Sequence, residues 1–161
     1  MIARPGAAFA FSHPAHALAL GFGAGLSPFA PGTAGTLLAW GIGLAAGALI
    51  HSALALALLA ALFALGVWAC RLTGEHLGVH DHGAMVWDEI VAFLLVLAVI
   101  PAGLAWQAAA FALFRLFDIT KPPPIRWLEK RYQGGFGVML DDLVAAGLTL
   151  LVLAVAKRVV L

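Results

Sequence analysis

Charge is scarce in this chain. Of its 161 residues only 11% are Asp, Glu, Lys or Arg while 63% are hydrophobic, and the mean hydropathy is +1.02. A water-soluble domain carries about 25% charged residues, so that class is excluded. Cysteine is scarcer still, and Cys70 alone excludes an internal disulfide. A net charge of +1 without a long basic run or aromatic-basic interleaving gives nucleic acid no footing. Residues 1–30 mix Gly, Pro, His and Phe after Arg4 instead of forming an unbroken apolar run, so no cleaved signal peptide is expected. What remains is an all-α, multi-pass integral membrane helical bundle, expected to form a single domain over residues 1–161.

The apolar runs set out the helices. Leu37 to Ile50 and Ala53 to Cys70, separated by His51-Ser52, read as a transmembrane hairpin closed by Arg71. Ile90 to Ile100 covers only about 16 Å at 1.5 Å per residue, so its helix is expected to begin earlier, within Met85 to Glu89. Leu104 to Phe117 returns and must stop by Lys121, because Pro122, Pro123 and Pro124 fix φ and remove three donors. Leu143 to Ala156 forms the last helix, with Lys157-Arg158 near its end. Residues 9–29 are interrupted by Gly21, Gly23, Gly25 and Pro28, and at most a short interfacial or buried helix is expected there.

Acid is placed as unevenly as it is scarce. All eight carboxylates lie between Glu75 and Asp142, and ionisable groups in a membrane chain mark function by default. Counting crossings puts residues 31–36, 75–89 and 115–142 on one face, which Arg71, Arg115, Lys121, Arg126, Lys130 and Arg131 make the cytoplasmic one. Lys157-Arg158 would then lie outside if the last helix crosses.

Three motifs meet on that face. In Ser27-Pro-Phe-Ala-Pro-Gly-Thr-Ala-Gly-Thr-Leu37, Thr33 or Thr36 can cap the incoming helix, and the glycines, Gly35 among them, let N–H groups converge on an anion. A capped turn without a ligand explains the same residues. Asp88-Glu89 opens an apolar helix, where hard oxygens suit Mg²⁺ with substrate phosphate or simply complement the helix dipole. Arg115, Asp118 and Lys121, with Asp141-Asp142 at the expected start of the last helix, complete the set. Cations for phosphate beside carboxylates for a divalent metal describe a phosphoryl-group site, and its depth favours a lipid headgroup. His76, His80 and His82 raise a zinc hydrolase as an alternative, although His-Glu-x-x-His and a Cys partner are absent. A non-enzymatic lipid-headgroup or anion-binding protein is the other alternative. Known phosphatase signatures are missing: Cys70 has His76 six positions on where a cysteine phosphatase needs Arg, and Asp118-Ile-Thr120 lacks a second aspartate. The Ser-Gly-His set of the acid-phosphatase-like lipid phosphatases is also absent, which leaves a metal-dependent reaction.

These motifs together resemble the phosphatidylglycerophosphatase A family: Pro28 to Leu37, Val86 to Glu89, Phe114 to Ile125 and Gly134 to Asp142 all match its pattern. The resemblance implies a Mg²⁺-dependent enzyme of the bacterial inner membrane that hydrolyses phosphatidylglycerophosphate to phosphatidylglycerol and inorganic phosphate. It points to Asp88, Glu89, Asp118, Asp141 and Asp142 as catalytic, and to Thr33, Gly35, Thr36, Arg115 and Lys121 as substrate-binding. Asp81, Asp88, Glu89 and Asp142 are the implied metal ligands. Ala92 and Ala145-Ala146-Gly147 depart from the pattern, small for small, at expected helix contacts. The Gly-rich helices also leave a homo-oligomer open.

Overall fold

The computed structural model describes residues 4–160, with the Val160 side chain set aside. Among them there is no strand. Two short helices, α1 (Ala7–Ala10) and α2 (Pro14–Ala19), lead through a bent 3-10 segment, Gly21–Leu26, into α3 (Pro31–Ala46). Then come α4 (Ala53–Leu77), α5 (Trp87–Val99), α6 (Leu104–Thr120), α7 (Ile125–Arg131) and α8 (Gly134–Val160). The polar segments punctuate the apolar runs as expected. Ser52 accepts the Ala55 N–H to cap α4, and α6 ends at Thr120, just before the three prolines.

Among the described residues three segments are long and apolar enough to cross a membrane: Pro31–His51, Ala53–Leu77 and Gly134–Val159. Helix α4 has 25 residues and α8 has 27, about 37 and 40 Å against a ~30 Å hydrocarbon core. The last helix is therefore long enough to cross, and Lys157-Arg158 sit at its far end. Leu54, Leu58 and Trp68 on α4 and Leu151 and Val155 on α8 are exposed, an outward apolar belt suited to lipid tails. Helix α5 has only 13 residues, about 20 Å long. It begins at Trp87, as its short apolar run requires, and sits at the centre between α3, α4 and α8 with most of its side chains buried.

Lipid tails are as apolar as leucine, so cohesion between such helices rests on close packing and satisfied polar groups. A Cβ on Gly135 would overlap the Val67 carbonyl, which lets α8 lie against α4. Ala92, Ala145 and Ala146 are buried at helix contacts, the small-for-small positions marked in the sequence. Phe93 on α5 packs against Phe111 and Phe114 of α6. Trp40 of α3 stacks on Phe111 and donates to Gln107 Oε1 at 2.8 Å, which satisfies a polar pair inside the apolar layer.

The boundaries of α4 and α8 differ from expectation. Arg71 does not close α4, which runs on to Leu77 and ends on Gly78 in the left-handed region. Helix α8 begins at Gly134, well before Leu143, because Gly134-Gly-Phe-Gly137 supplies a close helix contact where a turn reads equally well. Asp141 and Asp142 therefore stand in the third turn of a helix, and complementation of its N-terminus does not explain them.

Candidate active site

The starts of α3 and α5, the end of α6 and the early turns of α8 converge on one pocket. It is lined by Pro31, Gly32, Asp81, Asp88, Glu89, Arg115, Asp118, Lys121, Asp141 and Asp142, among others. Segments far apart in the chain are pinned around it. The Val86 N–H donates to the Ala19 carbonyl at 2.9 Å and aligns the entry to α5 with α2. Val86 in turn meets Gly35 of α3 so closely that a Cβ there would stand 2.8 Å from it.

Inside the pocket the acids fall into two groups. Asp88, Glu89 and Asp142 are buried and offer carboxylate oxygens that all lie within 4.8 Å of one another. Asp88 Oδ1, Glu89 Oε2 and Asp142 Oδ2 are buried without a hydrogen-bond partner. Such orphaned oxygens cost too much to persist unless a cation or protons compensate them. Three hard oxygen donors facing one point fit a divalent cation of the Mg²⁺ kind. Arg115 flanks the group: its Nη1 lies 3.6 Å from Glu89 Oε1 and 2.5 Å from Asp118 Oδ2, so Asp118 holds the guanidinium in place.

Asp81, Glu129 and Asp141 form the second group, again within 4.8 Å, with only Asp141 buried. Its cation is already part of the chain. Lys121 Nζ lies 2.8 Å from Asp141 Oδ2, 2.9 Å from Glu129 Oε1 and 4.0 Å from Asp81 Oδ2. Burial pulls the lysine's pKa down, but the hydrogen bonds it donates to Asp141 and Glu129 outweigh this and leave the value raised; Lys121 is an ammonium at neutral pH. Its backbone is in the left-handed region, φ 42° and ψ 63°, directly before Pro122, where sterics favour extended backbone. Ala30 repeats this at the start of α3, φ 44° before Pro31. Each costs on the order of 1 kcal/mol for a residue with a Cβ, and both border the pocket. Strain of this kind concentrates where a site must be held in shape.

The anticipated residues separate clearly. Asp88, Glu89, Arg115, Asp118, Lys121, Asp141 and Asp142 all reach the pocket. Asp81 does too, but stands with the lysine group rather than with the other three anticipated ligands. The Pro31 to Thr36 segment is the first turns of α3 itself and not a loop ahead of it, and Ala30 occupies the cap position without a side-chain bond. The capping expected of Thr33 or Thr36 is thus replaced: Thr36 donates to the Gly32 carbonyl at 2.9 Å and receives Arg115 Nη1 at 3.5 Å. Thr33, Gly35 and Thr36 do not line the pocket, Gly35 serving the α3–α5 contact and Thr36 touching the site only through Arg115. The free N–H groups of the first turn still point an anion-favouring helix end at the site. Two contributors were missed. Glu129 sits in the charged run Arg126 to Arg131 and reads as solvated, while Gly32 reads as a turn glycine although a Cβ there would collide with Glu89 Oε1.

The histidines do not assemble a metal site. His76 Nδ1 pairs with His16 Nε2 at 2.9 Å, and His16 Nδ1 with Thr73 Oγ1 at 3.0 Å. Phe9 stacks on His16. His82 Nδ1 accepts the Ala84 N–H at 3.1 Å. Among the described residues neither metal-capable group contains a histidine, which removes the basis of the zinc alternative.

Comparison with known proteins gives a family profile and named relatives. The family profile described as phosphatidylglycerophosphatase A matches residues 17–157. A Haemophilus influenzae protein named phosphatidylglycerophosphatase A is 48% identical over 136 residues, covering 83% of each chain. An Escherichia coli protein of the same name is 42% identical over 135 residues, 83% of this chain and 78% of that one. A Bacteroides thetaiotaomicron protein carrying the provisional name of a phosphatidylinositol-3-phosphatase is 42% identical over 147 residues, 87% of this chain and 91% of its own. No solved structure matches the chain.

Proposed function

The chain belongs to the phosphatidylglycerophosphatase A family, and from that premise we propose that it hydrolyses the terminal phosphate of phosphatidylglycerophosphate with Mg²⁺, at the cytoplasmic face of a bacterial inner membrane. It is a phosphoric monoester hydrolase of lipid metabolism. The observation that carries the reading is the meeting of three orphaned, buried carboxylate oxygens with Arg115 and Lys121 in one pocket.

Asp88, Glu89 and Asp142 would hold the metal. When bound, Mg²⁺ neutralises phosphate charge and acidifies water. Arg115, oriented by Asp118, takes the non-bridging phosphoryl oxygens through its fork of donors, and Lys121 adds a second cation where charge grows in the transition state. Water attacks phosphorus in line with the glycerol oxygen, the P–O bond to glycerol breaks, and the departing oxygen takes up a proton from solvent to end as a hydroxyl. Asp141 accepts the proton of the attacking water: one of its oxygens holds Lys121, while Oδ1 is buried without a partner. The products are phosphatidylglycerol and inorganic phosphate. The N-terminal turn of α3 supplies further N–H donors to the phosphate. The cytoplasmic placement rests on the cationic residues gathered on the site's face.

The test is inorganic phosphate release from phosphatidylglycerophosphate in mixed micelles, with Mg²⁺ and with chelator. Release that chelation stops and Mg²⁺ restores supports the reading. Binding of the lipid by folded protein without release overturns it in favour of a headgroup-binding protein. The Bacteroides relative makes phosphatidylinositol 3-phosphate the second substrate to assay, and faster release from it would change the headgroup assigned here.

A further inference from the structure

A second cavity, of about 420 Å³, adjoins the active-site pocket and shares Pro31 and Gly83 with it as wall. The two differ in charge. The active-site pocket is lined by six carboxylates, Asp81, Asp88, Glu89, Asp118, Asp141 and Asp142. The second is lined by Arg4 and His82 and by no carboxylate at all. Its walls are held firmly, because a Cβ on Gly25 would overlap the Ala84 carbonyl and the adjacent Val86 N–H is bound to Ala19. Arg4 is anchored through Nη1 to the Pro28 carbonyl at 2.7 Å, and among the described residues no carboxylate pairs with it. His82 Nδ1 accepts the Ala84 N–H, so Nε2 carries the ring proton and is a donor whatever the ring's charge.

Resting on the phosphatase reading above, we propose that this cavity is the subsite for the substrate's second phosphate, the phosphodiester between diacylglycerol and the headgroup glycerol. The chemistry suits it. Phosphatidylglycerophosphate carries a terminal monoester and, across the three glycerol carbons, a diester monoanion. The terminal phosphate needs strong charge compensation in the pocket of Arg115 and Lys121. The diester needs one cation and a donor, free of the acids that would repel it. Arg4 and His82 supply these next door. Arg4 lies outside the residues matched by the family profile, so the assignment comes from the cavity.

The experiment compares two affinities in the same micelles: KM for phosphatidylglycerophosphate, and the competitive Ki for inorganic phosphate, the product formed in the catalytic pocket. Arg4→Ala should raise KM about tenfold, the scale of one charge-assisted hydrogen bond, with a much smaller change in Ki and in kcat. Arg4→Lys, which keeps the charge, should recover part of the loss. His82→Asn keeps an acceptor for Ala84 but removes the Nε2 donor, and should raise KM in the same selective way. An unchanged KM, or a parallel rise of KM and Ki, overturns the subsite. Wild type that releases no phosphate overturns the phosphatase reading first, a distinct outcome.

Discussion

The two acidic groups of the pocket are alike in composition and opposite in state. Asp81, Glu129 and Asp141 surround an ammonium from the chain itself, and two of the three are exposed. Asp88, Glu89 and Asp142 are all buried and keep three oxygens without a partner. One ammonium within 4.0 Å of all three acids satisfies the lysine group. The triad has only Arg115, which reaches Glu89 alone and is itself engaged by Asp118, and buried like charges so thinly compensated are unstable as they stand. The lysine group can thus complete itself on folding, while the buried triad is complete only with something added. That difference, more than the number of acids, is why the triad and not the lysine group is the proposed metal site.

The sharpest way to break the comparison is Asp142→Asn. It removes one proposed ligand while keeping volume, and phosphate release should fall about a thousandfold or more, since the metal supplies several kcal/mol. The check is a turnover assay at saturating Mg²⁺. Less severe is Lys121→Met, which leaves Asp141 without its cation. Release should fall about a hundredfold, the scale of one lost transition-state donor, and thermal unfolding should occur at lower temperature, because breaking a buried pair strands a charge. Gly32→Ala attacks the triad from outside by driving a methyl group into Glu89 Oε1. A loss approaching a hundredfold in kcat, with the fold retained by circular dichroism, would match a displaced ligand. Glu129→Gln should matter least. Its side chain is 43% exposed, exposed pairs contribute about 0.2–1 kcal/mol, and release should change by only a few fold.

Much of this arrangement was legible beforehand, and the parts that were not have physical reasons. Asp88-Glu89 stood out because solvation is a poor explanation for two acids opening an apolar run, although helix-dipole complementation explained them equally well, and Arg115 to Lys121 because three prolines force a helix to end there. Their convergence followed from counting crossings. The start of α8 was hidden because glycines that permit a close helix contact look the same in sequence as glycines that make a turn. Glu129 was hidden by its charged neighbours, which make solvation the ordinary reading. That Asp81 would join Lys121 rather than the buried triad is a matter of three dimensions. So is the pairing of His76 with His16, which a spacing of four residues to His80 could not foretell once Gly78 ended the helix.

The central claim is that the buried triad, and not the lysine group, takes the divalent cation. Mn²⁺, which has the same preference for oxygen ligands as Mg²⁺, can be titrated into purified protein while the free ion is followed by electron paramagnetic resonance. The account predicts saturable binding by the wild type and by Lys121→Met, and none at comparable concentration by Asp142→Asn. Binding that survives Asp142→Asn but disappears in Glu129→Gln would place the ion in the other group and contradict it.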